Sequence, residues 1–400
     1  MLGKGILIIF TALVLVAALS PESSYGYPLF SHKRYIPPRF DPKTHVDSAF
    51  VALRVASGTT KQYNWYDILP YNTLCKTAFA KVISRGYSPT YVVMRITSHE
   101  VSAGYILADA GYDVWLGNFR GNTYSRRHVT LSTDSKEFWE FSFDEMALYD
   151  LPAMIDFALN KTGETQLYYI GHSQGTLTAF ALLSEKPEYN EKLRTFFALA
   201  PVATVGYIKS PIRYFAPYTK DIEILLKLLG VKEFLPNSWL IKLLSDLVCT
   251  TEIKVFCEEI IFLIVGVDPD QMNSTRLPVY LSHTPAGTSS QNLVHFAQLV
   301  NSKKLLKYDY GKHKNMKKYN QPTPPEYFIE NMTTPVALFW AQDDWLADPR
   351  DIALLQPRLK HMIKSYMVEY AKWSHVDFIW GIEARKYVYD ELLKMLQKTH

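Results

Sequence analysis

Hydrophobic and polar positions along the chain follow two rhythms. Short unbroken apolar runs bounded by turn formers read as buried strands, at residues 112–116, 167–170, 195–200, 335–340 and 365–370. Between them lie helix-prone stretches at 143–160 and 176–183, the first interrupted near its middle by Pro152, which predicts a kink or two segments. Strands alternating with helices predict an α/β architecture around a mainly parallel sheet. Residues 45–103 depart from this rhythm and show no strand-rich pattern, and no tandem repeat or low-complexity tract stands out.

Residues 201–334 separate two of the predicted strands, far more than the dozen or so that one crossover needs. Something is inserted there. Ile222, Leu225, Leu226, Leu228 and Leu229 recur at helical spacing, as do Trp239, Leu240, Leu243, Leu244 and Leu247, and an apolar run follows at 260–265. Such stripes serve as the core of a helical subdomain. They also suit a movable cap that keeps a lipid site dry in water and opens at a lipid surface.

Composition narrows the class. Four hundred residues, 48% of them hydrophobic, supply a large buried core. The 43 basic and 39 acidic residues leave a net charge of +4, with no bias toward nucleic acid. Lys4 followed by an apolar run over 5–19 reads as a secretory signal spanning about residues 1–26, with cleavage after Ser20 or Gly26. That run falls short of the roughly 20 residues a bilayer needs, so no transmembrane segment is expected in the mature chain. In an oxidising compartment, Cys249 and Cys257 are the closest pair among the three cysteines and the favoured disulfide, with Cys75 left over. Sequons at Asn160, Asn273 and Asn331 are glycosylation candidates on the same route.

The chemistry centres on Gly171-His172-Ser173-Gln174-Gly175, which falls where the strand at 167–170 turns into the helix at 176–183. A serine on such a turn projects its hydroxyl clear of the backbone, and flanking glycines permit the bend. It then needs a base and an acid to orient that base, in the chain order Ser, Asp or Glu, His. Asp343, Asp344 and Asp348 lie on the loop after the strand at 335–340, and His375 lies after the strand at 365–370. Ligands and catalytic groups gather at such strand ends. Taken singly, each of these residues is an ordinary turn former, helix cap or surface histidine; the shared order and placement make the case.

Further motifs are Ala108-Asp109-Ala110-Gly111-Tyr112-Asp113-Val114-Trp115-Leu116-Gly117-Asn118, Arg120-Gly121-Asn122-Thr123, Phe141-Ser142-Phe143-Asp144-Glu145-Met146, Tyr280-Leu281-Ser282-His283-Thr284-Pro285-Ala286-Gly287-Thr288-Ser289 and Leu346-Ala347-Asp348-Pro349. With the serine motif, and over roughly residues 104–395, the chain resembles the acid lipase family of gastric and lysosomal lipases. The resemblance implies an α/β-hydrolase core over 27–203 and 326–400, with a mostly helical cap over 204–325. It implies hydrolysis of a lipid carboxylic ester at a lipid–water interface by a secreted or lysosomal enzyme, with no cofactor, metal or nucleic acid. It selects Asp344 as the acid partner, Ser173 as nucleophile and His375 as base, and matches the family's cap disulfide to Cys249 and Cys257. The oxyanion hole falls to the backbone N–H groups of Gln174 and Tyr87.

One departure stands upstream. Where the family has His-Gly followed by an apolar residue, this chain reads Ser84-Arg85-Gly86-Tyr87. Losing one oxyanion donor costs roughly a hundred- to thousandfold in rate. The alternative expectation is therefore a catalytically weak relative that binds lipid without turnover, or a misassembled gene over 45–103.

Overall fold

The computed structural model describes residues 53–55, 78–82, 90–94 and 103–398, apart from 229, 235–261, 263, 278–279 and 281–283. The expected leader, Tyr87, Cys249, Cys257 and the apolar stripe at 239–247 lie outside these residues.

The strands in chain order are β1 Leu53–Val55, β2 Ala78–Val82, β3 Thr90–Met94, β4 Val114–Leu116, β5 Leu167–His172, β6 Leu193–Leu199, β7 Glu233–Phe234, β8 Thr288–Ser289, β9 Val336–Trp340 and β10 Met362–Met367. Six of them form the main sheet, in the order β10-β9-β6-β5-β3-β2. Every neighbouring pair is parallel except β2 and β3, which run antiparallel. β5, β6 and β9 are buried along nearly their whole length, which is why they read as unbroken apolar runs. β10 is the edge strand and mostly exposed. Its residues carry no clean apolar period, and it starts three residues earlier than the pattern predicts. β1, β2 and β3 fall inside the stretch that showed no strand pattern; β1 pairs with β4 in a small separate sheet.

The principal helices are α1 Ala103–Asp109, α2 Leu151–Thr162, α3 Gln174–Glu185, α4 Thr219–Leu228, α5 Ser290–Ser302, α6 Lys312–Tyr319, α7 Pro349–Leu355, α8 Asp377–Trp380 and α9 Asp390–Lys398. α3 follows β5 and is buried from Gly175 to Ser184. Ahead of α2, Ser142 accepts the Asp144 N–H while Glu145 takes back the Ser142 N–H at 2.7 Å, a capping box that starts the helical run. A π-helical stretch at Met146–Asp150 then leads into α2. Pro152, which has no N–H to give an earlier turn, sits just past that junction.

Between β6 and β9 the described elements are a 3-10 stretch at Pro211–Tyr218, α4, the β7–β8 pair, α5 and α6. Leu226 of α4 is buried with Val294 and Tyr308 in a cluster separate from the main core. Leu225 and Leu228 of the same predicted stripe are exposed.

Candidate active site

The parallel strands all point their C-terminal ends to one edge of the sheet, and three loops meet there. Ser173 follows β5 with φ 53° and ψ −119°, a region that side chains other than glycine rarely occupy. Its N–H donates to the Leu199 carbonyl at 3.1 Å, while its own carbonyl accepts the Thr176 N–H at 2.8 Å, so β6 and the first turn of α3 pin the bend from both sides. A Cβ at position 171 would stand 2.9 Å from the Gly175 carbonyl carbon. The first glycine of the motif is therefore required by contact, not only by flexibility.

Asp344 lies on the loop after β9 and is 0% exposed. Its Oδ1 accepts the N–H groups of Leu346 at 2.8 Å and Ala347 at 2.7 Å, which fixes the carboxylate. His375, on the loop after β10 and 3% exposed, places Nδ1 at 3.0 and 2.9 Å from the two Asp344 oxygens. Its Nε2 lies 2.7 Å from Ser173 Oγ. A buried carboxylate only accepts, so the partners assign the Nδ1–H tautomer and leave the Nε2 lone pair facing the serine hydroxyl. Asp343, the neighbouring candidate, is instead on the surface beside Trp345 and Lys209. Asp348 caps α7 and pairs with Arg350.

Ser173 and His375 open into a cavity of about 400 Å³ whose walls include Phe119, Met146, Phe234, Val265, Phe296 and Ile379, with Asp344 buried behind them. A dry wall strengthens charge interactions at the serine. Gln174 is the first residue of α3, and its N–H, like the first N–H groups of any helix, has no acceptor within the helix. Its side chain is held by Asn292 Nδ2, which donates to Oε1 at 2.9 Å. No group of three or more potential metal ligands occurs among the described residues. No described helix is long and apolar enough to cross a membrane.

Some contributors were not assigned a role from sequence. His172, the variable residue of the serine motif, donates from Nε2 to the His375 carbonyl at 2.8 Å and so braces the loop that carries His375. Arg120 lines the cavity while its Nε and Nη2 grip Asp150 Oδ1 at 2.9 and 2.6 Å. Both stand inside quoted motifs, which was the available signal. Tyr87, Cys249 and Cys257 lie outside the described residues. The strands flanking Tyr87 are described: Val82 pairs with Thr90, and Thr90 stands beside Tyr168 near the start of β5, the end of the sheet remote from Ser173. β3 reaches the Ser173 side only at Met94. Asn160 and Asn331 are exposed and Asn273 is half-buried.

A family model for the alpha/beta hydrolase fold matches residues 98–382. Lipase lipl-1 of Caenorhabditis elegans is 47% identical over 304 residues, and gastric triacylglycerol lipase of Mus musculus 48% over 298. Lysosomal acid lipase/cholesteryl ester hydrolase of Homo sapiens is 45% identical over 300 residues. Each alignment covers 74% of this chain and 74% of the relative. The chain belongs to the α/β-hydrolase family and, within it, to the group of gastric and lysosomal acid lipases.

Proposed function

We propose that this protein is a secreted or lysosomal lipase that hydrolyses lipid carboxylic esters through an acyl-enzyme. The observation that carries the reading is the unbroken run of contacts from Ser173 Oγ through His375 to Asp344 at the wall of an apolar cavity. Ser173 Oγ attacks the ester carbonyl carbon as its proton passes to His375 Nε2, and Asp344 stabilises the imidazolium. The tetrahedral intermediate collapses, its C–O bond breaks, and His375 returns the proton to the departing alcohol. Water then attacks the acyl-serine by the same route in reverse and releases the fatty acid.

The Gln174 N–H supplies one oxyanion donor. The second is a backbone N–H near β3, for which Tyr87 is the sequence candidate. The register of β3 against β5 weighs instead toward the chain that follows Met94. The substrate class follows the relatives, one named for triacylglycerol and one for cholesteryl esters. Cap movement over 204–325 and a Cys249–Cys257 disulfide belong to the same proposal.

Hydrolysis of short- and long-chain esters across pH, with Ser173→Ala as control, tests the reading. Turnover that disappears in the variant supports it, and full activity in Ser173→Ala overturns it. Arg85 in place of the family's histidine motivates the second reading, lipid binding without turnover, which equilibrium binding with no cleavage would favour.

A further inference from the structure

The stretch from Gly266 to Gln271, late in the insertion, is fastened to the chain on both sides of His375. At one end, Asp270 Oδ2 accepts from Tyr370 Oη at 3.2 Å and from Lys372 Nζ at 3.0 Å. At the other, Gln271 accepts the Glu383 N–H at 3.0 Å, donates to Glu383 Oε2 at 3.1 Å, and takes the Ile382 N–H on its carbonyl at 3.1 Å. Gly266 backs directly onto the site, since a Cβ there would stand 2.8 Å from the Asp343 carbonyl and 3.2 Å from Ser374 Cβ.

Between these fastenings two carboxyl groups meet. Asp268 is 0% exposed and Asp377 is 1% exposed, and their side chains face each other closely enough to interact. Asp377 stands two residues past His375 and accepts the Ser374 N–H on Oδ2 at 2.6 Å. Neither Asp268 oxygen receives a well-aligned donor from any N–H or O–H group, although the backbone N–H groups of Asp270 and Gln271 lie close. Two carboxylates have only acceptors, so a hydrogen bond between them needs a proton held by one of the two.

We propose that Asp268 and Asp377 share a single proton and that this joint positions His375 against Ser173. The inference builds on the reading of His375 as general base. In the joint, the Asp377 hydroxyl donates to the Asp268 carboxylate while the other Asp377 oxygen keeps the Ser374 N–H, which fixes the backbone next to His375. Tyr370, Lys372 and Asp270 bind one another on the exposed side and do not supply the missing donor. His375 itself is turned toward Asp344. Asp268 and Asp377 are thus positioning residues, distinct from Ser173, Asp344 and His375.

Burial, with Asp268 facing it, pushes Asp377 up to about 8, and burial raises Asp268 as well. An unfolded carboxyl releases its proton near pH 4. Between these limits the folded chain holds a proton that the unfolded chain has lost, so stability falls as pH rises through that window. The joint is intact in acid, and its deprotonation places two charges of one sign in a dry contact.

Three measurements test the joint. Infrared difference spectroscopy of the wild-type protein near neutral pH is expected to show a protonated-carboxyl band that is absent from Asp268→Asn. In that variant the amide supplies the donor permanently. The alkaline limb of kcat/KM for a short-chain ester is then expected to move up by about one pH unit, and the fall in melting temperature on raising pH to flatten. Asp268→Leu supplies neither donor nor acceptor and is expected to lower kcat about ten- to a hundredfold with little change in KM, through misplacement of His375. A wild-type spectrum without the band, or an Asp268→Asn profile that matches wild type, overturns the proposal even if the enzyme is active. An enzyme that cleaves no ester overturns the functional reading instead, while the band and the melting profile still report on the shared proton.

Discussion

Among the described residues two serines stand against a histidine ring nitrogen, and one of these pairs opens into the cavity. Ser173 Oγ lies 2.7 Å from His375 Nε2, and Ser142 Oγ lies 3.0 Å from His295 Nδ1. In both, the serine hydroxyl faces a ring nitrogen whose opposite nitrogen carries the hydrogen. The difference is what that other nitrogen meets. His375 Nδ1–H faces the Asp344 carboxylate, which can stabilise a developing imidazolium. His295 Nε2–H meets the neutral Leu306 carbonyl at 2.9 Å, and the ring is stacked on Phe143 at 3.9 Å. Burial pushes His295 down to about 3, so it stays neutral where a base would have to take a proton. What separates the two pairs is the buried carboxylate and the adjoining cavity, and the proposed function rests on both.

The comparison breaks first at the hydroxyl. Ser173→Ala is expected to lower kcat for ester hydrolysis by at least about 10⁴-fold, whereas Ser142→Ala should leave kcat/KM within about twofold. Ser142→Ala should instead lower stability by roughly 1–3 kcal/mol in denaturant titration, through loss of a helix cap and an unpaired His295 nitrogen. Abolished turnover in a folded Ser142→Ala protein would show that the two pairs do not differ in role. Next in size is the anion: Asp344→Asn should cost about 10⁴-fold in kcat with the fold intact, and Asp343→Asn less than about threefold. Equal losses from the two would show that Asp344 has no special role beside His375.

Tyr87→Pro deletes one backbone N–H. A loss of about 10² to 10³ in kcat would assign that donor to Tyr87, and near-normal turnover would move it to the chain beyond Met94.

The smallest effect concerns protons at His295. An unfolded histidine takes up a proton near pH 6.5 and the buried one only near pH 3, so over that interval the unfolded chain binds more protons and acid weakens the fold. His295→Gln, a neutral donor and acceptor, should flatten that loss, by at most about 1.4 kcal/mol per pH unit. Melting curves from pH 6.5 downward would check it, and an unchanged slope would exclude His295 as the source.

What could be read from sequence divides along the same line. The turn at Ser173 is local: β5, the bend and α3 follow one another, so strand-to-helix periodicity exposed it. The sheet strands buried on both faces were legible for the same reason. β10 was displaced because an edge strand lacks a continuous apolar run. Asp343 and Asp344 are indistinguishable by local pattern, and only the family motif separated them. Nothing in the sequence links Ser142 to His295, because their pairing spans 153 positions. The same holds for Asp268 and Asp377: a shared proton between distant residues leaves no periodicity.

The placement of β9 and β10 at one side of the sheet has a consequence for biosynthesis. Ser173 and His375 are separated by 202 positions along the chain, and the Asp344 and His375 loops both follow the insertion. At about 5–20 residues per second, roughly 10–40 s of synthesis elapse between making Ser173 and making His375. Through that interval the growing chain carries Ser173 without the histidine that the proposed mechanism sets against it. On that mechanism the ester-cleaving centre assembles only near the end of translation.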